Sequence, residues 1–195
     1  WAAGGDTHPR CPEPGCRGRG TRVAILTNAG GPGILAADAC EAHGLTVPQL
    51  SEATRTTLRA LLPPTASLTN PVDMIASASA EQFEQALAVL LADSEIDSVL
   101  TIFIPPMVTR GEDVARAIQQ AAAGRTKPVL AVFMSADPAP PMRAPSSTTT
   151  QRAWVAARAL NMASSRGLTQ RMSTSVASRV CAAWRAGSRA FAAAP

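Results

Sequence analysis

Residues 23–44, VAILTNAGGPGILAADACEAHG, constrain the fold of this chain more than any other stretch. A short apolar run stops at Asn28, a turn carrying Gly30, Gly31, Pro32 and Gly33 follows, and an alanine-rich helical run ends at Gly44. An apolar run this short, bounded by turn residues, reads as a buried strand. A strand that feeds a glycine-rich turn opening a helix leaves the first N–H groups of that helix without intrahelical partners. Those donors converge on one spot with the positive end of the helix dipole behind them. They favour an anion, most often phosphate.

The segments after it alternate between strand and helix. A strand is predicted at 23–27, a helix at about 33–43 with Gly44 as its stop, and a short second strand at 45–47. Ser51 caps a helix running to 62, with Glu52 in its first turn, and Pro63 and Pro64 end it. After a loop carrying Asn70, Pro71, Val72 and Asp73 comes the strongest helical pattern, 80–92. Ser79 and Gln82 form a capping-box pair there, and Phe83, Leu87, Leu90 and Leu91 make an apolar stripe. A β-branched strand at 98–104 stops at Pro105, a helix at 112–123 ends at Gly124, and 128–134 is the last clear strand. Strands alternating with helices imply an α/β fold, a parallel sheet with helices on both faces. Ligands of such folds sit at the carboxyl ends of the strands, which would gather 28–33, 105–110 and 135–141 at one edge.

Composition separates this middle from its flanks. The net charge of +4 divides into +2 over 1–22, −6 over 23–137 and +8 over 138–195, where eight Arg stand without a single acid. Residues 1–21 are unpatterned. Residues 138–195 read as a Pro/Ser/Thr linker and a basic Arg/Ala/Ser tail, within which 151–165 can form a helix. A nucleic-acid role would rest almost wholly on that tail, which carries no nucleic-acid-binding motif. No apolar run reaches the length of a membrane span, and Cys11, Cys16, Cys40 and Cys181 do not form a disulfide framework in a chain of 195 residues. The expectation is a cytoplasmic protein without membrane or nucleic-acid partners.

Four segments then point to a family. VAILTNAGGPGILAADACEAHG, NPVDMIASASAEQFEQAL, DSVLTIFIPP and KPVLAVFM resemble, in order and spacing over 22–137, the NDP-forming acyl-CoA synthetases. These include ADP-forming acetate–CoA ligases and protein acetyltransferases built on the same scaffold. More distantly, the segments are similar to the flavodoxin-like domain ending the succinyl-CoA synthetase β chain. The resemblance implies a flavodoxin-like sheet within an enzyme that converts acid, CoA and ATP to acyl-CoA, ADP and phosphate. In that family a phosphohistidine shuttles the phosphoryl group, and its loop docks between two helix N-termini, one of them in the matched domain. The turn at Asn28, Gly30, Gly31 and Gly33 is the expected phosphate-binding element, with Thr27 and Asp73 at the pocket edge. Neither a catalytic residue nor a metal ligand is expected in this chain. CoA, ATP/ADP and Mg, which the family uses, would be held by partner modules: a CoA-binding domain with the histidine loop, and an ATP-grasp domain or subunit.

Several residues also have plainer readings. The three glycines can make a tight turn with no ligand, and Asp73 can form an Asx turn or a helix cap. Asp38 reads as solvated, His43 as bonding the last carbonyls of its helix, and Cys40 as a small buried apolar residue. His8, Cys11 and Cys16 lack a fourth zinc ligand. Neither His8 nor His43 sits in the family's SHTGS-like phosphohistidine loop. A shifted reading frame or truncation at both ends is one account of the alien flanks, tested by translating the neighbouring frames. The polypeptide is thus expected to be one domain or fragment of an acyl-CoA synthetase that cannot complete catalysis by itself. The alternatives are a non-catalytic partner-binding or regulatory module of a split CoA ligase or protein acetyltransferase, and a fragment without function.

Overall fold

The computed structural model describes residues 20–106, 109–134 and the strand at 155–159. The elements in chain order are β1 (Val23–Thr27), α1 (Gly30–Ala42), α2 (Glu52–Leu61), β2 (Val72–Asp73), α3 (Ala80–Ala92), β3 (Ser98–Phe103), α4 (Gly111–Ala122), β4 (Val129–Phe133) and β5 (Val155–Ala159). The strands form one parallel sheet in the order β2-β1-β3-β4-β5. This is the flavodoxin-like order, with its topological switch between β1 and β3.

All residues of β1 and β3 are buried. That is why those strands are continuously apolar rather than alternating: a parallel sheet is covered on both faces. Ala24, Leu26, Val99, Phe103, Ala131 and Phe133 pack beneath α2, α3 and α4, against Leu58, Phe83, Leu87, Leu90, Val114 and Ile118. Phe103 stands edge-on to both Phe83 (centroids 5.5 Å apart) and Phe133 (5.7 Å), so three rings tie α3 to β3 and β4. On the other face Val23, Ile25, Leu100, Ile102 and Val132 meet Ala36 and Cys40 of α1. Helices therefore lie on both faces among the described residues.

Caps and stops follow the local rules. Ser51 accepts a hydrogen bond from the Thr54 N–H, and Ser79 and Gln82 form the reciprocal capping box. Gly44 and Gly124 have positive φ (75° and 71°) just past α1 and α4.

Three expectations need correction. First, α1 begins at Gly30, so its glycines lie in the first helical turn rather than before it; the extended Ala29 (φ −151°) ends the linking segment. Second, 45–47 is not a strand: only a parallel bridge joins Thr46 to Arg22, and the edge strand is the two-residue β2 inside the loop that carries Asn70. Third, of the helix expected at 151–165 the described residues, Val155–Ala159, are a strand that pairs in parallel with β4 from Val129↔Val155 to Phe133↔Ala159. The edge of β4 offers a row of unpaired N–H and C=O groups, and satisfying them outweighs the helix propensity of an alanine-rich run. The zinc reading of His8, Cys11 and Cys16 and the basic tail outside 155–159 lie outside the described residues.

Candidate functional site

The carboxyl end of β1 turns directly into α1, and the turn opens toward the switch point. Ala29 contributes no side-chain cap, no acidic residue lies in the first turn of α1, and Pro32 has no N–H to offer. The N–H groups of Gly30 and Gly31 are thus the donors that α1 presents. Gly31 is exposed, and a β-carbon added there would meet nothing within 4 Å. The other two glycines are packed: a β-carbon on Gly30 would lie 2.9 Å from Asp73 Oδ2, and one on Gly33 would lie 3.0 Å from Thr27 Cγ2 and 3.4 Å from Pro71 Cβ. The glycine run thus divides into one open position and two close-approach positions.

Asn28 is 2% exposed, and its side chain is spent on the sheet. Its Nδ2 donates to the Ile104 carbonyl at 2.8 Å, and its Oδ1 accepts from the Ile104 N–H at 2.9 Å. This amide behaves like one more peptide unit of β1, extending its pairing with β3 beyond the last strand residue. Thr27 is fully buried, and its Oγ1 accepts from the Ala29 N–H at 3.1 Å. Both residues shape the turn from below.

Asp73 reaches the same turn from β2. Its Oδ1 accepts from the Ile75 N–H at 2.9 Å, an Asx-type contact at a residue with positive φ (65°), while Oδ2 points toward Gly30. The residue that delivers this loop is Asn70, whose amide bonds the backbone of Val23, Ile25 and Pro48. In the sequence Asn70 reads only as part of a loop. The available signal was an amide placed just before Pro71 in a segment too short to form a full strand.

The remaining charged groups serve elsewhere. At the amino end of the strands Arg22 bonds Asp97 (3.0 Å to both Oδ1 and Oδ2) and Glu95 (3.0 Å). The Arg22 side chain, followed by a bond from its backbone N–H, holds the Asp97 carboxyl below the usual carboxylate range against the cost of burial. Burial pushes the Lys127 ammonium down, and its Nζ donates to the Asp93 carbonyl. A groove of about 420 Å³ lies between α3 and α4, on the face away from α1. Its arginines are already paired, Arg110 with Glu112 and Arg116 with Asp113. His43 holds the Ala39 carbonyl at 2.9 Å through Nδ1, Cys40 is buried, and Asp38 is exposed. Among the described residues no group of three or more His, Cys, Asp or Glu is placed to hold a metal, and no helix is long and apolar enough to cross a membrane.

Comparison with known proteins places this geometry in a family. Residues 23–138 match the Ligase-CoA domain. The chain is 43% identical over 123 residues to the acetate–CoA ligase [ADP-forming] II subunit alpha of Pyrococcus furiosus, covering 60% of this chain and 26% of that subunit. It is 45% identical over 83 residues to the acetate–CoA ligase [ADP-forming] I of Archaeoglobus fulgidus, covering 43% of this chain and 12% of the relative. Among solved structures, PH0766 from Pyrococcus horikoshii OT3 superposes with a TM-score of 0.57 at 43% identity, over 60% of this chain and 28% of that one. A dinucleotide-forming acetyl-coenzyme A synthetase 1 of Ca. Korarchaeum cryptofilum, solved with phosphate and ADP, shares the fold at a TM-score of 0.58 and 21% identity, over 89% of this chain and 36% of that one. The chain thus spans about a quarter of the length of the first of these curated relatives. With its sheet order, its glycine turn and more than half of its length matched, the chain belongs to the Ligase-CoA domain family.

Proposed function

We propose that residues 22–137 form one module of an ADP-forming acyl-CoA synthetase, cytoplasmic in setting, and that its task is to dock a phosphohistidine rather than to perform chemistry alone. The observation that carries this reading is the first turn of α1. Gly30 and Gly31 present N–H donors at the switch point, no side chain caps them, and the open side of Gly31 leaves room for a bulky approach. Phosphoryl transfer needs positioning and charge neutralisation more than covalent groups from the protein, and a fixed pair of amides on a rigid helix supplies both. Asn28, Gly33 and Thr27 hold the turn in shape; Gly30 and Gly31 meet the phosphoryl oxygens; Asp73 borders the approach.

The whole reaction in this reading is acid, CoA and ATP to acyl-CoA, ADP and phosphate, with acetate as the acid named for the relatives. CoA, nucleotide and Mg are held by the partner modules, and no step through Mg is assigned to this chain. The second reading, a separate docking subunit of a split ligase, is favoured by the match to a protein that is itself a subunit.

One experiment tests the proposal. The chain is added to a partner carrying the histidine loop and the ATP-grasp module but lacking its own Ligase-CoA domain. Restored transfer of labelled phosphate from phosphohistidine, abolished by Gly31→Glu, supports it. Transfer that proceeds equally well without the chain overturns it.

A further inference from the structure

Asn70 does with its side chain what an edge strand does with its backbone. On the side of β1 away from β3, the bridge at Thr46 serves the Val23 N–H (2.8 Å), and β2 begins pairing only at Leu26. Between them lie the Val23 carbonyl and the Ile25 N–H. Asn70 partners both: Nδ2 donates to the Val23 carbonyl at 2.8 Å and Oδ1 accepts from the Ile25 N–H at 2.9 Å. Nδ2 also donates to the Pro48 carbonyl at 2.9 Å, which ties the segment entering α2 to the same point. A primary amide has two N–H donors and a carbonyl oxygen, and each is engaged here.

The residues that follow Asn70 meet the glycine turn. Pro71 lies against Gly33, and Asp73 lies against Gly30. Val72 pairs with Leu26 and Asp73 with Thr27, so the register of this short strand decides which side chains face α1. Two residues of pairing specify register weakly, because a slip of one residue sends each side chain to the other face. The amide of Asn70 adds two further bonds to the same edge, in line with the strand.

We propose that Asn70 is a positioning residue for the docking turn: it locks the register of β2 and thereby seats Pro71 and Asp73 against the first turn of α1. The inference rests on the reading of that turn as a docking surface, but its first test does not. Hydrogen exchange on this chain follows the Met74 N–H, bonded to the Thr27 carbonyl, and the Ile75 N–H, bonded to Asp73. In Asn70→Ala both are expected to exchange about 10-fold faster or more, while amides of β3 and β4 keep their protection, as for a local rather than a global opening. Asn70→Asp retains the acceptor for Ile25 but turns a carboxylate toward the Val23 and Pro48 carbonyls. Its protection, corrected for intrinsic rates, is expected to recover as pH falls and the carboxyl regains an O–H donor. Unchanged exchange at Met74 and Ile75, or protection lost equally across β3 and β4, overturns the proposal. In the complete ligase, Asn70→Ala is expected to lower kcat for phosphoryl transfer by up to ~10²-fold with the KM for CoA held, as small misplacements do. If the wild-type turn proves dispensable for transfer, the docking reading fails while the exchange result still decides the role of Asn70.

Discussion

Asn28 and Ile104 are paired across the switch point of the sheet, side-chain amide to backbone peptide, by two reciprocal hydrogen bonds of 2.8 and 2.9 Å. The pairing closes the crevice between β1 and β3 at the level where the glycine turn begins, so the amides of α1 are presented on a rigid floor. Asn28, expected in the phosphate-binding turn, has both ends of its side-chain amide engaged with the Ile104 backbone. Removing the amide leaves the part-buried N–H and C=O of Ile104 without their partner, so Asn28→Ala is expected to destabilise the domain by about 1–3 kcal/mol. Urea unfolding with an unchanged m-value checks this; a loss below about 0.5 kcal/mol would show that water replaces the amide.

The glycines are expected to separate by environment. Gly33→Ala presses on Thr27 and Pro71 inside packed structure and is expected to cost about 1–3 kcal/mol. Gly31→Ala meets open space and is expected to be neutral or to stabilise by up to about 1 kcal/mol, as alanine is the better helix former. Gly30→Ala falls between, because the atom it displaces is the end of the Asp73 side chain. Thermal unfolding of the three variants gives the order directly.

The isolated chain is expected to bind inorganic phosphate weakly, since the Asp73 carboxylate borders the same turn. Asp73→Asn removes that repulsion. Two unit charges roughly 5 Å apart in a water-like dielectric repel by about 0.8 kcal/mol, so phosphate affinity is expected to rise about fourfold at low salt. The gain should fade as ionic strength increases, and titration calorimetry at two salt concentrations checks both statements.

Acid sensitivity is expected at the opposite end of the strands. The Asp97 carboxyl is held below its ordinary value first by the Arg22 side chain. A depressed folded pKa means that the stability is fully present above the unfolded value, about 3.9, and is lost as pH falls through the folded value. Asp97→Asn is expected to be less stable than wild type at pH 7 and to lose less stability below pH 4. Parallel denaturation curves for the two proteins would refute this.

Much of the fold was legible because its signals are local. The Ser79/Gln82 capping box, the Gly44 and Gly124 stops and the apolar runs of β1, β3 and β4 depend on neighbours within a few residues, and each stands where the sequence indicated. The misplaced elements are those whose state depends on a distant partner. Residues 45–47 look like a strand, yet only Thr46 finds the edge of β1, because Asn70, from 47 residues further along the chain than Val23, already serves that edge. Residues 155–159 carry helix-forming alanines, yet they pair along β4.

The candidate site divides the same way. The glycine-rich turn after a buried strand, and with it the uncapped helix start, was written in residues 23–44, since strand, turn and helix start are contiguous. Which glycine is open and which are packed, and that Asn28 belongs to the sheet, followed only once β2 and the end of β3 were in place. Hydrogen bonds between Asn28 and Ile104, or between Asn70 and Ile25, span 76 and 45 residues. A backbone group buried at a sheet edge takes whichever partner the assembled chain brings to it, and that choice is made by packing rather than by local propensity.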